Sequence, residues 1–264
     1  FLVTATFSEN VTGFSSSGIN VTNGTVSGFT GSGTTYNFTV TPNADGPVTV
    51  DVPAATATDT ASNNNAAATQ LVRTADFTPP TIALTSTSPT TINAPFLVTA
   101  TFSENVTGFS SSGINVTNGT VSSFTGSGTT YNFTVTPNAD GPVTVDVPEA
   151  TATDTATNNN TAATQLVRTA DVTAPTASLG TISNIATAGG TSQTLTVTFS
   201  DSSGVDVSSL DNSDLVVNWS GGTIPSAFVS VDTNSNGTPR TATYSLTPPG
   251  GSWDDTDNGS YAVN

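Results

Sequence analysis

The sequence predicts an all-β chain built from antiparallel sandwiches joined end to end in a linear array. Three observations carry that expectation. A long segment repeats almost unchanged, apolar residues alternate with polar ones in short runs, and the composition favours strands and turns over helices. Thr, Ser, Val, Ala, Asn and Gly dominate the 264 residues, while Lys and Met are absent and Glu is rare. Thr and Val suit a half-buried pleated surface, and Asn, Gly, Asp and Pro suit turns. The long-chain helix formers Glu, Lys, Gln and Met are rare or absent.

The repeat sets the organisation. FLVTATFSENVTGFSSSGINVTNGTVS starts at Phe1 and again at Phe96, an offset of 95 residues. Residues 1–80 and 96–175 differ only at Gly28/Ser123, Ala54/Glu149, Ser62/Thr157, Ala66/Thr161, Phe77/Val172 and Pro79/Ala174. Within each copy the period is two: Phe1, Val3, Ala5 and Phe7 alternate with Leu2, Thr4, Thr6 and Ser8. Tyr36-Phe38-Val40 and Val48-Val50-Val52 alternate in the same way. One wet and one buried face is the signature of an antiparallel sandwich. Asn23-Gly24 and Asn118-Gly119 have the composition of two-residue hairpin turns. Asn43 to Gly46 and Asn138 to Gly141 supply further turns.

The segment DFTPPTIALTSTSPTTINAP (76–95) reads as a linker followed by a first strand around Ile82 and Leu84, stiffened by Pro79-Pro80. Counted from there, a complete unit holds about seven strands in a length typical of an Ig-like sandwich. Three units are therefore expected, spanning 1–78, 79–173 and 174–264. The third is divergent, although TLTVTFSD echoes LVTATFSE and SWDDTDNGSYAVN echoes NADGPVTVDV. On this count unit one's first strand precedes Phe1 and unit three's closing strand follows Asn264, so both ends read as cut from a longer array.

Charge and residue absences exclude several functions. Nineteen carboxylates face three arginines, for a formal charge of −16. Such a chain has little with which to neutralise phosphates, which argues against nucleic-acid partners. No stretch is apolar and long enough to span a bilayer. Without His, Cys or Lys there is no Ser-His-Asp triad, no thiolate and no Schiff-base lysine, so the chain is not read as an enzyme. A glycosidase-like carboxylate pair is the formal remainder. Disulfides and lysine isopeptide cross-links are excluded as staples by the same absences. An acidic chain expects a cationic partner, and a divalent metal ion is the simplest.

Topology locates candidate ligands. In a seven-strand sandwich the loops after strands two and six lie at the end where the linker enters. At the first junction those are Asp76 of the linker, Glu104, and Asp154 with one of Asn158 to Asn160. At the second, Asp171 is expected near Asp201 and Asp206. In unit one Glu9, Asp59 and Asn63 form the corresponding half-site. Carboxylate and amide oxygens are the hard ligands that calcium prefers. The plainer alternative is that Glu104 and Asp154 are solvated turn residues capping backbone groups. Asp232 to Gly237 matches the first half of an EF-hand loop, but Thr243 stands where Glu is needed, so a polar turn is the preferred reading. Trp219 and Trp253 read first as aromatics of the sandwich and second as a sugar platform. The several Asn-x-Ser/Thr sequons are expected by chance in such a composition.

The TFSENVTGF strand end, INVTNGTVS, YNFTVTPNADGPVTVDVP and ATDTASNNN together resemble bacterial Ig-like repeats of giant adhesins and biofilm-associated surface proteins. TAGGTSQTLTVTFSD and SVDTNSNGTPRTATYSLTPPGGSWD look like a second extracellular repeat type. The resemblance implies an extracellular, cell-surface stalk or fibre, with calcium at the junctions and other repeats or copies as neighbours. Ser62 departs from the Ala-Gly-Asn such loops often carry. Two other readings stay open: a carbohydrate- or receptor-binding module in unit three, with host or matrix glycans as partners, and an accessory region of a secreted hydrolase.

Overall fold

The computed structural model describes residues 1–264, and every regular element except short 3-10 turns is a strand. Unit one contains β1 (Leu2–Val11), β2 (Asn20–Thr22), β3 (Gly24–Pro42), β4 (Gly46–Asp51) and β5 (Leu71–Ala75). β1 pairs with β3, and β2, β4 and β5 form a second sheet in that order. Unit two adds β6 (Ile82–Thr85) and β7 (Thr91–Ile92) ahead of β8 (Phe96–Val106), β9 (Asn115–Thr117), β10 (Gly119–Pro137), β11 (Gly141–Asp146) and β12 (Leu166–Ala170). Its sheets run β10-β8-β6 and β7-β12-β11-β9. β7 and β12 are parallel, and the other pairs are antiparallel.

The expected alternation is what packs. In β8, Phe96, Val98, Ala100 and Phe102 are buried, whereas Leu97 is 52% exposed. Facing them, Val143 and Val145 of β11 complete a two-sheet core. Phe102, Phe109, Phe124 and Tyr131 form an edge-to-face and stacked cluster with centroids 5.1–5.9 Å apart. The buried Tyr131 hydroxyl donates to Val106 O, so its polar end is satisfied.

The Asn-Gly pairs do not make the expected hairpins. β2 pairs with β4 and β3 pairs with β1, so Asn23-Gly24 carries the chain from one sheet to the other. Asn23 adopts φ 56°, which Asn tolerates better than most side chains. Its side-chain amide donates to Ala44 O and its Oδ1 accepts from Ala44 N, tying the crossover to the 43–46 turn. The tight reversal lies later, inside β3, where Gly31 and Gly33 take φ 131° and 65°. A Cβ on Gly31 would approach Thr35 O to 2.3 Å, so only glycine fits. Beyond the turn, Phe29 stacks on Tyr36 at 5.7 Å and Asn43 N donates to Asn23 O at 3.2 Å.

Unit three holds β13 (Thr176–Leu179), β14 (Gln193–Ser200), β15 (Val216–Trp219), β16 (Gly222–Val231), β17 (Arg240–Leu246) and β18 (Ala262–Val263). Its strands form one hydrogen-bonded series, β13-β14-β17-β16-β15-β18. β16 joins the layers: Ile224 and Pro225 pair with β15, while Ser226 to Val231 pair with β17. Trp253 is buried in this unit's core, and Trp219 stacks on Tyr261, so both serve the sandwich. The half EF-hand segment is a polar turn, with Ser235 O and Asn236 O accepting from Arg240. Separate cores for the three units exclude a continuous solenoid.

Candidate metal centre at the first junction

Two loops and one linker converge where unit one meets unit two. The loop after β8 is laced to the 150–160 loop through Thr107 and Thr153, whose backbones exchange N–H···O bonds of 2.7 and 3.0 Å. Asn160 fastens the second loop from inside. It is 1% exposed, accepts from Thr151 N and Ala152 N, and donates to Pro148 O and Thr161 O. The preceding turn closes between Asp154 N and Asn158 O at 3.2 Å. Thr157 is held there at φ 72°, an unfavourable region for a β-branched residue.

This framework brings the carboxylates of Asp76, Glu104 and Asp154 together, with one ligand atom from each lying within 4.8 Å of the others. Asp154 is buried, and the other two are half-buried. Burial raises the Asp154 pKa, but hydrogen bonds from the Asn158 side chain and the backbone of Asn158, Ala156 and Thr157 outweigh it and leave a net lowering. Glu104 is pushed up by burial first, then by repulsion from Asp76, Asp154 and Asp45. Asn158 bridges the parts, its amide donating to Asp76 O at 3.0 Å and to Asp154 Oδ2 at 2.9 Å. Three hard oxygen donors, none facing a Lys or Arg in an ion pair, suit a divalent cation such as calcium.

The remaining candidates are placed differently. In unit one Asp59 accepts from Asn63 N and the Asn63 amide, reproducing the turn of unit two, while Glu9 is exposed. At the second junction no trio of carboxylates forms. Asp171 Oδ1 and Asp201 Oδ2 are each buried without a hydrogen-bond partner. Asp206 does not join them. It caps the 3-10 turn Val207–Ser209, accepting from Ser208 N and Oγ, and those bonds lower its pKa.

The sequence reading treated Asp45 and Asp140 only as turn residues, yet they clasp the linkers. Asp45 accepts from Phe77 N at 2.6 Å and from the Thr78 hydroxyl. Asp140 accepts from Val172 N, Thr173 N and the Ser202 hydroxyl, the last from unit three. The Val172 bond leads in lowering the Asp140 pKa to about 2. The available signal was an Asp kept at the same turn position in both copies, immediately before the strand whose first residue, Gly46 or Gly141, pairs with the residue that precedes the linker, Ala75 or Ala170.

Fold and junction together define a tandem array of antiparallel β-sandwiches with an acidic joint. Residues 1–75 and 76–170 each match the family described as bacterial Ig-like domain, and the chain belongs to that family. Among solved structures, the crystal structure of invasin, titled a bacterial integrin-binding protein, aligns at 15% identity and a TM-score of 0.38. The alignment covers 92% of this chain and 47% of invasin, so the chain spans about half that protein's length. Comparison with curated proteins returned no match.

Proposed function

We propose that this chain is a load-bearing stalk segment of an extracellular, adhesin-like surface protein, and that calcium at the junctions stiffens it. The observation that carries the reading is the Asp76–Glu104–Asp154 cluster, in which one carboxylate comes from the linker and two from the following sandwich. Without a cation these groups repel across the joint. A cation shared among them ties linker to sandwich and limits the angles between successive units. Near-identical tandem units favour spacing over recognition, and the absence of His, Cys and Lys favours a non-catalytic role.

The test is solution scattering and thermal melting with calcium and with chelator, on the unmodified chain and on Asp76→Ala. Saturation at about a hundred times Kd should stabilise the folded state by about 2.7 kcal/mol per independent site. A maximum dimension and a melting temperature that both ignore chelator would sink the proposal. A second reading, ligand binding by unit three, draws on a cavity of about 700 Å³ lined by Trp253, Tyr261, Asp254 and Asp257. Aromatic faces beside carboxylates suit a sugar. Glycan-array binding by the intact chain, abolished by Tyr261→Ala, would support it.

A further inference from the structure

Unit two is entered at Asp76 and left at Asp171, and these points lie at opposite ends of its sandwich. At the entry end Ile82 pairs with Phe102, close to Glu104. At the exit end Ala170 pairs with both Gly141 and Ile92. Tension along the array therefore reaches this fold through the segment 80–92 and leaves it through β12.

The entering segment is tied first to its surroundings and then to the leaving strand itself. Thr161 N donates to Pro80 O and Ser103 N to Thr81 O, each at 2.9 Å, and Thr81 N donates to Ser103 Oγ at 2.9 Å. Further along, Thr169 N donates to Thr90 O at 2.8 Å and Asp171 N to Ile92 O at 2.9 Å. β7 and β12 run parallel, so tension draws β7 one way and β12 the other along a common axis. Bonds between strands that slide past each other are loaded together, whereas strands pulled apart from one end lose theirs one at a time.

Arg168 adds a third tie. It pairs across the sheet with fully buried Val143, which puts its side chain on the core face. One guanidinium nitrogen donates to Ser86 O, between β6 and β7, at 3.0 Å, and another to Val167 O. Its Nε is sealed from water without an acceptor, and it meets no carboxylate in a chain that has nineteen. A charged donor holds a carbonyl more strongly than a neutral one does. Here that bond joins the entering segment to the leaving strand.

We infer that the segment 80–92 and β12 form a shear clamp that sets the tension unit two withstands. Its ties, Arg168 to Ser86, Thr169 to Thr90 and Asp171 to Ile92, must break nearly together before the unit extends. Arg168 is the pin of this clamp, a positioning residue and not an ion-pair partner. The inference deepens the stalk reading, on which its purpose rests, but it needs no cation.

The chain has no Cys, so two introduced thiols are unique handles for single-molecule force spectroscopy. Phe77→Cys with Val172→Cys, both at exposed positions, pulls the intact chain across unit two along its own axis. Ala139→Cys with Val172→Cys pulls instead at one end of the β11–β12 pair and peels it. With chelator present throughout, the first geometry should need a several-fold higher force. Under constant force in that geometry, Arg168→Met keeps the aliphatic stem, removes the donors and should shorten the folded lifetime about tenfold. Thr169→Pro, which deletes the N–H to Thr90 O, should do the same. Val135→Ala, in the core away from the clamp, should lower stability in urea at least as much and leave that lifetime nearly unchanged. Equal forces in the two geometries overturn the inference. So do lifetimes that track urea stability across all three variants, which would make Arg168 merely structural. Either failure leaves the calcium-stiffened joint untouched, because no cation is present. Scattering that ignores chelator would in turn sink the joint and spare the clamp.

Discussion

Replacing Asn160 by Ala should destabilise unit two far more than its twin Asn65→Ala destabilises unit one. Both side chains satisfy the same four backbone groups: two N–H donors, at 2.8–2.9 Å, and two carbonyls, at 2.8–3.1 Å. The surroundings differ, since Asn160 is buried, next to the Thr161 N–H that donates to Pro80 O, whereas Asn65 is half-buried. A buried polar group left without a partner costs about 1–3 kcal/mol. In unit two Ala152 N is sealed from water, while Thr151 and Thr161 lie nearer the surface. Crediting those two with partial rehydration leaves a total of about 3–4 kcal/mol for Asn160→Ala. In unit one water reaches most of the freed groups, and about 1–2 kcal/mol is expected. Native-state hydrogen exchange at Ala57, Thr58, Ala152 and Thr153 reads the units separately, which matters because a multi-unit chain need not unfold in one step. Equal effects in the two units, or a loss below about 1 kcal/mol at Asn160, would refute the argument from burial.

Three further outcomes follow from the same geometry. Glu104→Gln should raise the melting temperature of chelated protein at pH 7 and shrink the calcium-dependent gain. The raised pKa of Glu104 means that its charged form opposes folding as pH rises through the folded value. Asp140 has the opposite sign. Its folded value of about 2 lies below the ordinary 3.8, so its stabilisation is complete above about pH 4 and lost as pH falls towards 2. Asp140→Asn should flatten an acid melting profile over that window. Thr157→Gly should stabilise unit two by about 0.5–1 kcal/mol in urea, since relief of a left-handed β-branched residue exceeds the extra entropy of glycine.

The sandwich architecture was legible because strand faces are written in period two, and a 95-residue repeat is too long for a solenoid coil. Convergence of Asp76, Glu104 and Asp154 was legible from connectivity, since the order of strands in a sandwich dictates which loops share an end. Two features were not. The Asn-Gly pair reads as a hairpin locally, yet Asn23 uses its αL backbone and amide to cross between sheets, and only the partner turn at Ala44 reveals that. The Asp45 and Asp140 clasps join residues some thirty positions apart through an ordinary turn composition. In unit three, Asp206 carried the right chemistry and the wrong neighbours, because a Ser two residues on makes it a cap.

The two junctions share an incoming linker design but differ in what receives it. Unit two offers Glu104 from TFSE, whereas unit three offers Asp201 from TFSD, one methylene shorter. Asp201 is 8% exposed. Its Oδ1 accepts from Ser203 N at 2.7 Å, but its Oδ2 has no donor, and neither does the buried Oδ1 of Asp171. A buried carboxylate oxygen without a donor is costly, and native structures resolve it with a water or a cation. If a cation answers these oxygens, Asp201→Asn should leave chelated protein as stable or slightly more so, because an amide carries no charge to desolvate. In calcium the same substitution should lower the melting temperature of unit three towards the chelated value. If buried water answers them instead, Asp201→Asn will shift stability equally with and without calcium. Melting both proteins under both conditions separates these cases, and equal shifts would remove the second junction from the calcium proposal.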